Sequence, residues 1–299
     1  MNSTLSCDGP PRINPDWIGS YNIIVFMIAF PCNICFMLAI FKDKAIWKMT
    51  AYQIVFHMSV AHVLLSISTL QLGLMALLSR VCRFHDLIIG VGSVIVYFGP
   101  ISLCVFSAVQ ALNRLAAITH IHLLSNCLFK VLLWLIWLFL ISSGITVILT
   151  GTIFTYKTED FLYHFYNEQP ALNIFYYVTL VFLGAGMILY TLAILSIVLR
   201  RGSTKKRDVA LLIQGIIPFF YLALVRSLQT WTFQCTPLLY IIFLSLAFRS
   251  LPMVHIGVYL VFNRTLRESI LRLIRLKRSK HVIAVAHTNI SLNRSHSHH

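Results

Sequence analysis

The sequence predicts an all-α membrane protein, a seven-transmembrane helix bundle with a C-terminal amphipathic helix on the membrane surface. The first indication is composition, because 58% of the 299 residues are hydrophobic and only 11% are charged. A soluble domain has about a quarter of its residues charged. The second is that the apolar residues form seven blocks of about 20 residues or more, the length that crosses a bilayer. The third is the uneven distribution of lysine and arginine along the chain.

Each apolar block predicts one membrane-spanning helix. Prolines interrupt four of the blocks, which membrane helices tolerate because neighbouring groups satisfy the freed carbonyls. These prolines are Pro31, Pro100, Pro218 and Pro252. The predicted spans, which together make the bundle of residues 18–262, are residues 18–41, 49–74, 87–117, 129–153, 171–199, 209–228 and 237–262.

The basic residues predict the orientation of the bundle. Of the 24 lysines and arginines, 18 fall on one side of the membrane if the N-terminus is outside the cell. We therefore expect an extracellular N-terminus over residues 1–17 and a disordered cytoplasmic tail over residues 279–299. The net charge of +15 follows from this topology and does not indicate a nucleic-acid partner. The basic residues clearly on the other side are Arg12, Arg80, Arg83 and Lys157.

Residues 263–278 predict an amphipathic helix on the inner membrane surface. Apolar side chains recur there at helical spacing, and basic residues between them face anionic headgroups. The alternative is a generic stop-transfer anchor, but the length and the helical period favour the surface helix. The apolar positions are Leu266, Ile270, Leu273 and Ile274.

The sequence gives no indication of catalysis. It contains no Gly-rich phosphate loop, no HExxH motif and no paired carboxylates within a span. All nine acidic residues lie in loops or at span ends, so a relay of buried carboxylates for proton-coupled transport is missing. We expect no enzymatic activity, no cofactor and no metal centre. The His-rich end over residues 295–299 is either a metal-chelating tail or the remnant of a tag.

Two positions near the predicted outer face are candidates for modification. Cys82 is a disulfide candidate whose partner is not readable from the sequence. Asn2 lies in Asn-Ser-Thr, which is a glycosylation motif.

Three histidines fall inside predicted spans, namely His57, His62 and His255. One interpretation is that each imidazole is neutral and hydrogen-bonded within the bundle. The other is a polar coupling between His62 in the second span and His255 in the seventh.

Four local motifs follow one another along residues 18–278. Asn33 lies nine residues before Lys42 in the first span, and the second span begins Thr-Ala-Tyr-Gln-Ile-Val-Phe over residues 50–56. The third span has Cys82 at its outer end and Leu-Asn-Arg at its inner end, where the pair is Asn113-Arg114. The seventh ends His-Ile-Gly-Val-Tyr-Leu-Val-Phe-Asn-Arg-Thr-Leu-Arg over residues 255–267.

In this order the motifs resemble nematode serpentine chemoreceptors of class T, or the related class X, which are seven-transmembrane G-protein-coupled receptors. The resemblance implies a plasma-membrane protein, in sensory cilia, that binds an unknown extracellular small molecule or peptide and activates a heterotrimeric G protein. It implies a switch at the end of the seventh span, formed by Tyr259, Asn263 and Arg267. It also implies a polar core of Asn33, His62 and His255. The implied G-protein contacts are Asn113, Arg114, Arg200, Arg201, Lys205, Lys206 and Arg207.

The sequence departs from the receptor pattern at several positions. His62 stands where the family usually has an aspartate, and His255-Ile256 replace Asn-Pro, so sodium modulation is not expected. The loop of residues 154–170 has no cysteine to pair with Cys82. Asn113 replaces an acid, which removes the ion pair that would restrain Arg114.

Arg114 has two interpretations. Its guanidinium either contacts the carbonyls of an inserted partner helix or extends to the inner interface, as arginines at span ends often do. The surrounding motifs favour the partner-binding role. The basic loop of residues 200–207 is first a topology signal and second a G-protein contact.

Aromatic residues in spans three, five, six and seven are the candidates for ligand contact. They would line an apolar pocket with a few polar tips, or else they anchor the helices in the membrane interface. We also keep two other functions open, a ligand-gated channel subunit and a small-molecule transporter of the multi-span type. The ligand candidates are Tyr97, Phe98, Tyr176, Tyr177, Tyr221 and Tyr240.

Overall fold

Seven long helices form most of the described part of the chain, and all seven are long and apolar enough to cross a membrane. The computed structural model of the chain describes residues 15–78, 86–119, 126–149, 154–157, 162–165, 170–199, 206–230 and 238–273. The spans, in chain order, are α1 (Pro15–Lys42), α3 (Thr50–Leu78), α4 (Asp86–Thr119), α5 (Asn126–Leu149), α6 (Pro170–Leu199), α7 (Lys206–Thr230) and α8 (Leu238–Phe262). The predicted fold class, a seven-helix membrane bundle, is confirmed.

Four short elements accompany the spans. The helix α2 (Lys44–Trp47) connects α1 to α3, and α9 (264–273) follows α8 after a break at Asn263. Two antiparallel strands, β1 (Phe154–Lys157) and β2 (Leu162–Phe165), pair between α5 and α6 with Phe154 opposite Phe165. The sequence did not predict this hairpin. The fourth span was predicted over residues 129–153; α5 covers Asn126–Leu149, and residues 150–153 lie outside the described residues.

The helix α4 lies at the centre of the bundle. Every residue from 99 to 111 is buried, so this helix contacts protein on all sides. Its neighbours α5 and α6 instead expose large apolar side chains such as Trp134 and Leu199. In a membrane these outward side chains contact lipid, because the hydrocarbon is as apolar as they are.

The helices α1 and α3 approach each other closely at two glycines. A Cβ atom built on Gly19 would lie 3.0 Å from the Gly73 carbonyl oxygen, and one built on Gly73 would lie 3.1 Å from the Gly19 oxygen. Small residues at such contacts let membrane helices pack backbone to backbone. The contact fixes α1 against α3 at the end of the bundle where α1 begins.

The other end of the bundle is called here the basic end, and it contains Lys42, α2 and α9. The helix α9 packs its apolar side onto α1 and α2, with Leu266 fully buried and Ile270 and Leu273 beside it. Asp43 joins the three helices, because it accepts from the Ala45 amide at 3.1 Å and from Arg272 at 3.2 Å.

The opposite face of α9 is charged and exposed. Arg264 donates to Glu268 at 2.7 Å, one turn further along the helix. This hydrogen bond lowers the pKa of the Glu268 carboxyl. The helix is therefore amphipathic, as predicted.

Candidate functional site

A network of polar side chains lies at the basic end of the bundle, and several of its residues belong to the sequence motifs. It is called here the Tyr259–Asn263 network. Six side chains from four spans and the α8–α9 junction form it, and all six are buried. They are Tyr52, Gln110, Arg114, Gln214, Tyr259 and Asn263.

Arg114 points into the bundle. Its side chain is only 6% exposed, because α4 is surrounded by other helices at this depth. Gln110, one turn earlier on α4, donates from Nε2 to the Tyr259 hydroxyl. The Arg114 guanidinium lies beside the same hydroxyl. Tyr259 therefore joins α8 to α4 at the basic end of the bundle.

Tyr190 of α6 completes the surroundings of Arg114. Its ring packs against Phe219 of α7 with the ring centroids 5.1 Å apart, and it is fully buried. Within the described part of the chain, neither the Tyr190 hydroxyl nor the Arg114 Nε atom has a hydrogen-bond partner. The site thus holds spare hydrogen-bonding capacity next to a buried cation.

Asn263 connects the other helices of the network. Its Oδ1 accepts from the Tyr52 hydroxyl at 3.1 Å and from the Leu266 amide at 3.0 Å, and the second bond caps α9. Its Nδ2 donates to Gln214 Oε1 at 3.2 Å. One side chain at the end of α8 therefore holds α3, α7 and α9 together.

The third predicted switch residue, Arg267, lies outside this network. It is exposed, and its NH1 donates to the carbonyl oxygens of Leu260 at 3.2 Å and Val261 at 3.5 Å. These carbonyls belong to the last turn of α8, where a cation also interacts favourably with the helix dipole. Arg267 caps α8. Asn113, which was predicted with Arg114, is half-buried.

The predicted polar core is only partly assembled. The imidazole rings of His62 and His255 lie side by side, with their centroids 4.5 Å apart. Both are fully buried, and none of their four nitrogens has a hydrogen-bond partner in the described residues. Asn33 instead donates to the Ala29 carbonyl of its own helix at 2.8 Å. The two rings are therefore in contact, and neither interpretation's hydrogen bonds to these two histidines are found among the described residues.

His57, the third of the histidines inside predicted spans, is hydrogen-bonded within the bundle. Its Nδ1 accepts from Trp137 Nε1 at 2.9 Å, which connects α3 to α5.

The four predicted ligand aromatics whose side chains the structure describes differ in exposure and in their contacts. Tyr177 is 63% exposed on the outside of α6, while Phe98 is half-buried against Gly144 of α5. The Tyr221 hydroxyl donates to the Ala247 carbonyl at 2.7 Å and lies 2.8 Å from Ser250 Oγ. Tyr240 is half-buried near the start of α8.

Several predicted site residues lie outside what the structure describes. Lys206 and Arg207 begin α7, and Tyr97 and Tyr176 belong to α4 and α6, but their side chains are not described. The others that lie outside the described residues are Asn2, Cys82, Arg200, Arg201 and Lys205.

Sequence reasoning missed four members of the network or its surroundings and two further cations. Tyr52, Gln110, Gln214 and Tyr190 lie inside apolar spans, where a polar side chain usually faces the bundle interior. A polar residue inside an apolar span could have identified all four, but only the histidines and Asn33 were predicted in this way. Arg226 and Arg249 belong to neither side in the topology count, because both fall inside spans.

No family model matches this chain, and no curated protein sequence matches it. The nematode-receptor resemblance therefore stays a prediction.

Proposed function

We propose that this protein is a G-protein-coupled receptor that activates a heterotrimeric G protein through the basic end of its bundle. The observation that carries the proposal is the Tyr259–Asn263 network. At the basic end it joins α3, α4, α7 and α8 through side-chain hydrogen bonds around a buried arginine. Such bonds between membrane helices are individually weak, about 0.6 kcal/mol on average. A weakly held set of helices is suited to exchange between two arrangements.

Activation in this proposal is an outward movement of α7. Gln214 lies on α7 one turn before Pro218, where the missing backbone donor makes a kink possible. Moving this segment outward breaks the bond between Gln214 and Asn263. An agonist that binds the moved arrangement more tightly shifts the population toward it.

The moved arrangement opens a path to Arg114. The carbonyl groups at the C-terminus of an inserted Gα helix carry partial negative charge, and a guanidinium offers several donors to them. The basic loop of residues 200–207 adds a second contact. This assignment places the basic end in the cytoplasm and the N-terminus outside the plasma membrane. The positive-inside distribution supports that orientation.

The ligand side of the proposal follows the resemblance to nematode chemoreceptors. The agonist is an extracellular small molecule or peptide, and the receptor belongs to sensory membranes.

The test is nucleotide exchange on purified Gα subunits by the full-length protein in lipid nanodiscs. We expect the protein to accelerate exchange on at least one Gα class without agonist, and Arg114→Ala to abolish this acceleration. Thr191→Ala is the matched control, because that exposed hydroxyl, among the described residues, bonds along its own helix to the Met187 carbonyl. It should leave exchange unchanged.

The outcome that overturns the proposal is an Arg114→Ala variant that folds and activates Gα like the unsubstituted chain. Absence of exchange on every Gα class would do the same. Agonist-evoked responses that survive removal of all Gα from cells would favour the channel subunit, and substrate uptake would favour the transporter.

A further inference from the structure

Two arginines lie inside the spans at positions that the proposed coupling mechanism does not use. Arg249 lies near the middle of α8 and is only 6% exposed, and Arg226 lies in the last two turns of α7. A buried arginine at this depth stays charged, because its guanidinium is not deprotonated in proteins. Ionisable residues within membrane helices are rare and usually mark a functional site.

Arg249 is held by a neutral amide. Its NH1 donates to Asn22 Oδ1 of α1 at 2.9 Å. This bond fixes the orientation of the Asn22 side chain, whose oxygen must face the arginine. Asn22 is only 1% exposed, so its Nδ2 group is buried. This Nδ2 group has no acceptor in the described part of the chain. A buried donor without an acceptor is costly, so the site favours an additional oxygen.

Two tyrosines donate to backbone carbonyls of α8 in the turn before Arg249. Tyr21 donates to the Leu246 carbonyl at 3.3 Å, and Tyr221 donates to the next carbonyl, that of Ala247. The Leu246 carbonyl therefore already accepts from one side chain, and the Ala247 carbonyl accepts from two, those of Tyr221 and Ser250. The unused hydrogen-bonding capacity at Asn22 is that of a donor.

The electrostatic surroundings are positive. The Arg226 guanidinium lies over the Phe248 ring, 5.9 Å from the ring centroid, and Phe248 directly precedes Arg249. None of the nine acidic residues of the chain falls in the interior of a span by its sequence position. A buried guanidinium beside an amide donor in a low-dielectric region favours an anionic ligand.

Apolar side chains lie beside Asn22 and Arg249, toward the end of the bundle where α1 begins. Ile18 is one turn before Asn22 on α1, and it packs in a buried cluster with Ala76 of α3 and Ile242 of α8. Leu246, one turn before Arg249, packs against the same cluster. A molecule whose anionic head meets Arg249 would have its body among these apolar groups.

We propose that Arg249 and Asn22 form a buried recognition site for an amphiphilic monocarboxylate. One carboxylate oxygen accepts from the free Asn22 Nδ2 donor and the other from the Arg249 guanidinium, whose planar fork fits a carboxylate. The inference names the ligand class of the receptor and rests on the proposed function only for its signalling consequence, because binding itself needs no G protein.

The test is equilibrium binding of radiolabelled decanoate to the purified full chain in phosphatidylcholine nanodiscs. Saturable binding that unlabelled decanoate competes and decanol does not compete is expected. A second set of nanodiscs contains phosphatidylserine. A rise in the apparent Kd for decanoate there would show that an anionic lipid headgroup occupies the same site, while an unchanged Kd would assign the site to a free carboxylate.

Asn22→Asp is the decisive variant. This substitution places a carboxylate of the protein itself against Arg249, so the thermal unfolding temperature should not fall. The affinity for decanoate should drop at least about tenfold, which corresponds to the loss of one strong charge-assisted contact. Arg272→Gln removes an arginine outside the site and should bind decanoate normally. Equal binding of decanol, or unchanged affinity in a folded Asn22→Asp variant, would overturn the inference. Decanoate binding without any Gα activation would contradict the proposed function but would still support the proposed carboxylate site.

Discussion

Asn263 Nδ2 donates to Gln214 Oε1 at 3.2 Å, and this hydrogen bond connects the end of the seventh span to the sixth. The same asparagine side chain caps α9 and accepts from Tyr52 of the second span. A helix that moved away from the bundle at this end would therefore break a side-chain bond and leave the backbone intact.

Gln214→Ala should raise basal G-protein activation. Loss of one interhelical hydrogen bond, about 0.6 kcal/mol, would multiply the ratio of active to inactive protein by about three. Nucleotide exchange on Gα without agonist measures this ratio. Ser196→Ala serves as the control, because within the described part of the chain its hydroxyl bonds to the Leu192 carbonyl of its own helix. Basal exchange at the level of that control would argue that the bond does not restrain α7.

His62 and His255 should be energetically coupled. Their rings are in contact, and aromatic pairs of this kind contribute about 0.5–1.5 kcal/mol beyond burial. We expect the destabilisations of His62→Ala and His255→Ala to sum to more than that of the double variant. Thermal unfolding of the purified variants in one detergent supplies the double-mutant cycle. Strict additivity would show that the two rings act independently.

Gly73→Val should destabilise the bundle. The first added carbon alone would lie 3.0 Å from the Ile23 side chain and 3.1 Å from the Gly19 carbonyl oxygen. Overpacking of this kind costs about 1–3 kcal/mol. Gly184→Val is the matched control, because a Cβ atom there meets nothing within 4 Å. Equal unfolding temperatures for the two variants would contradict the tight contact between α1 and α3.

The basic end should face the cytoplasm. An epitope inserted after Arg294 should react with antibody only in permeabilised cells, because the 18 basic residues on this side retain it inside. An epitope inserted after Asp8 should react in intact cells. Staining of intact cells through the first epitope would reverse the orientation.

The spans themselves were readable from the sequence. The seventh was predicted over residues 237–262 and is Leu238–Phe262, and the fifth was predicted over 171–199 and is Pro170–Leu199. Apolar length is a property of each segment alone, so it needs no knowledge of neighbours. The amphipathic helix after the break at Asn263 was predictable for a related reason, because its polar and apolar residues alternate with the helical period.

Which polar side chains meet was decided by the tertiary structure. The pairs Asn263–Gln214 and Arg249–Asn22 join residues far apart in the chain. His62 and His255 were predicted as neighbours only through a receptor resemblance, and their ring contact without a hydrogen bond was not foreseen. The physical reason is that a membrane helix is apolar on its lipid side and on its packed side alike. Hydropathy therefore sets where a helix begins and ends, while its rotation about its own axis depends on how seven surfaces pack together.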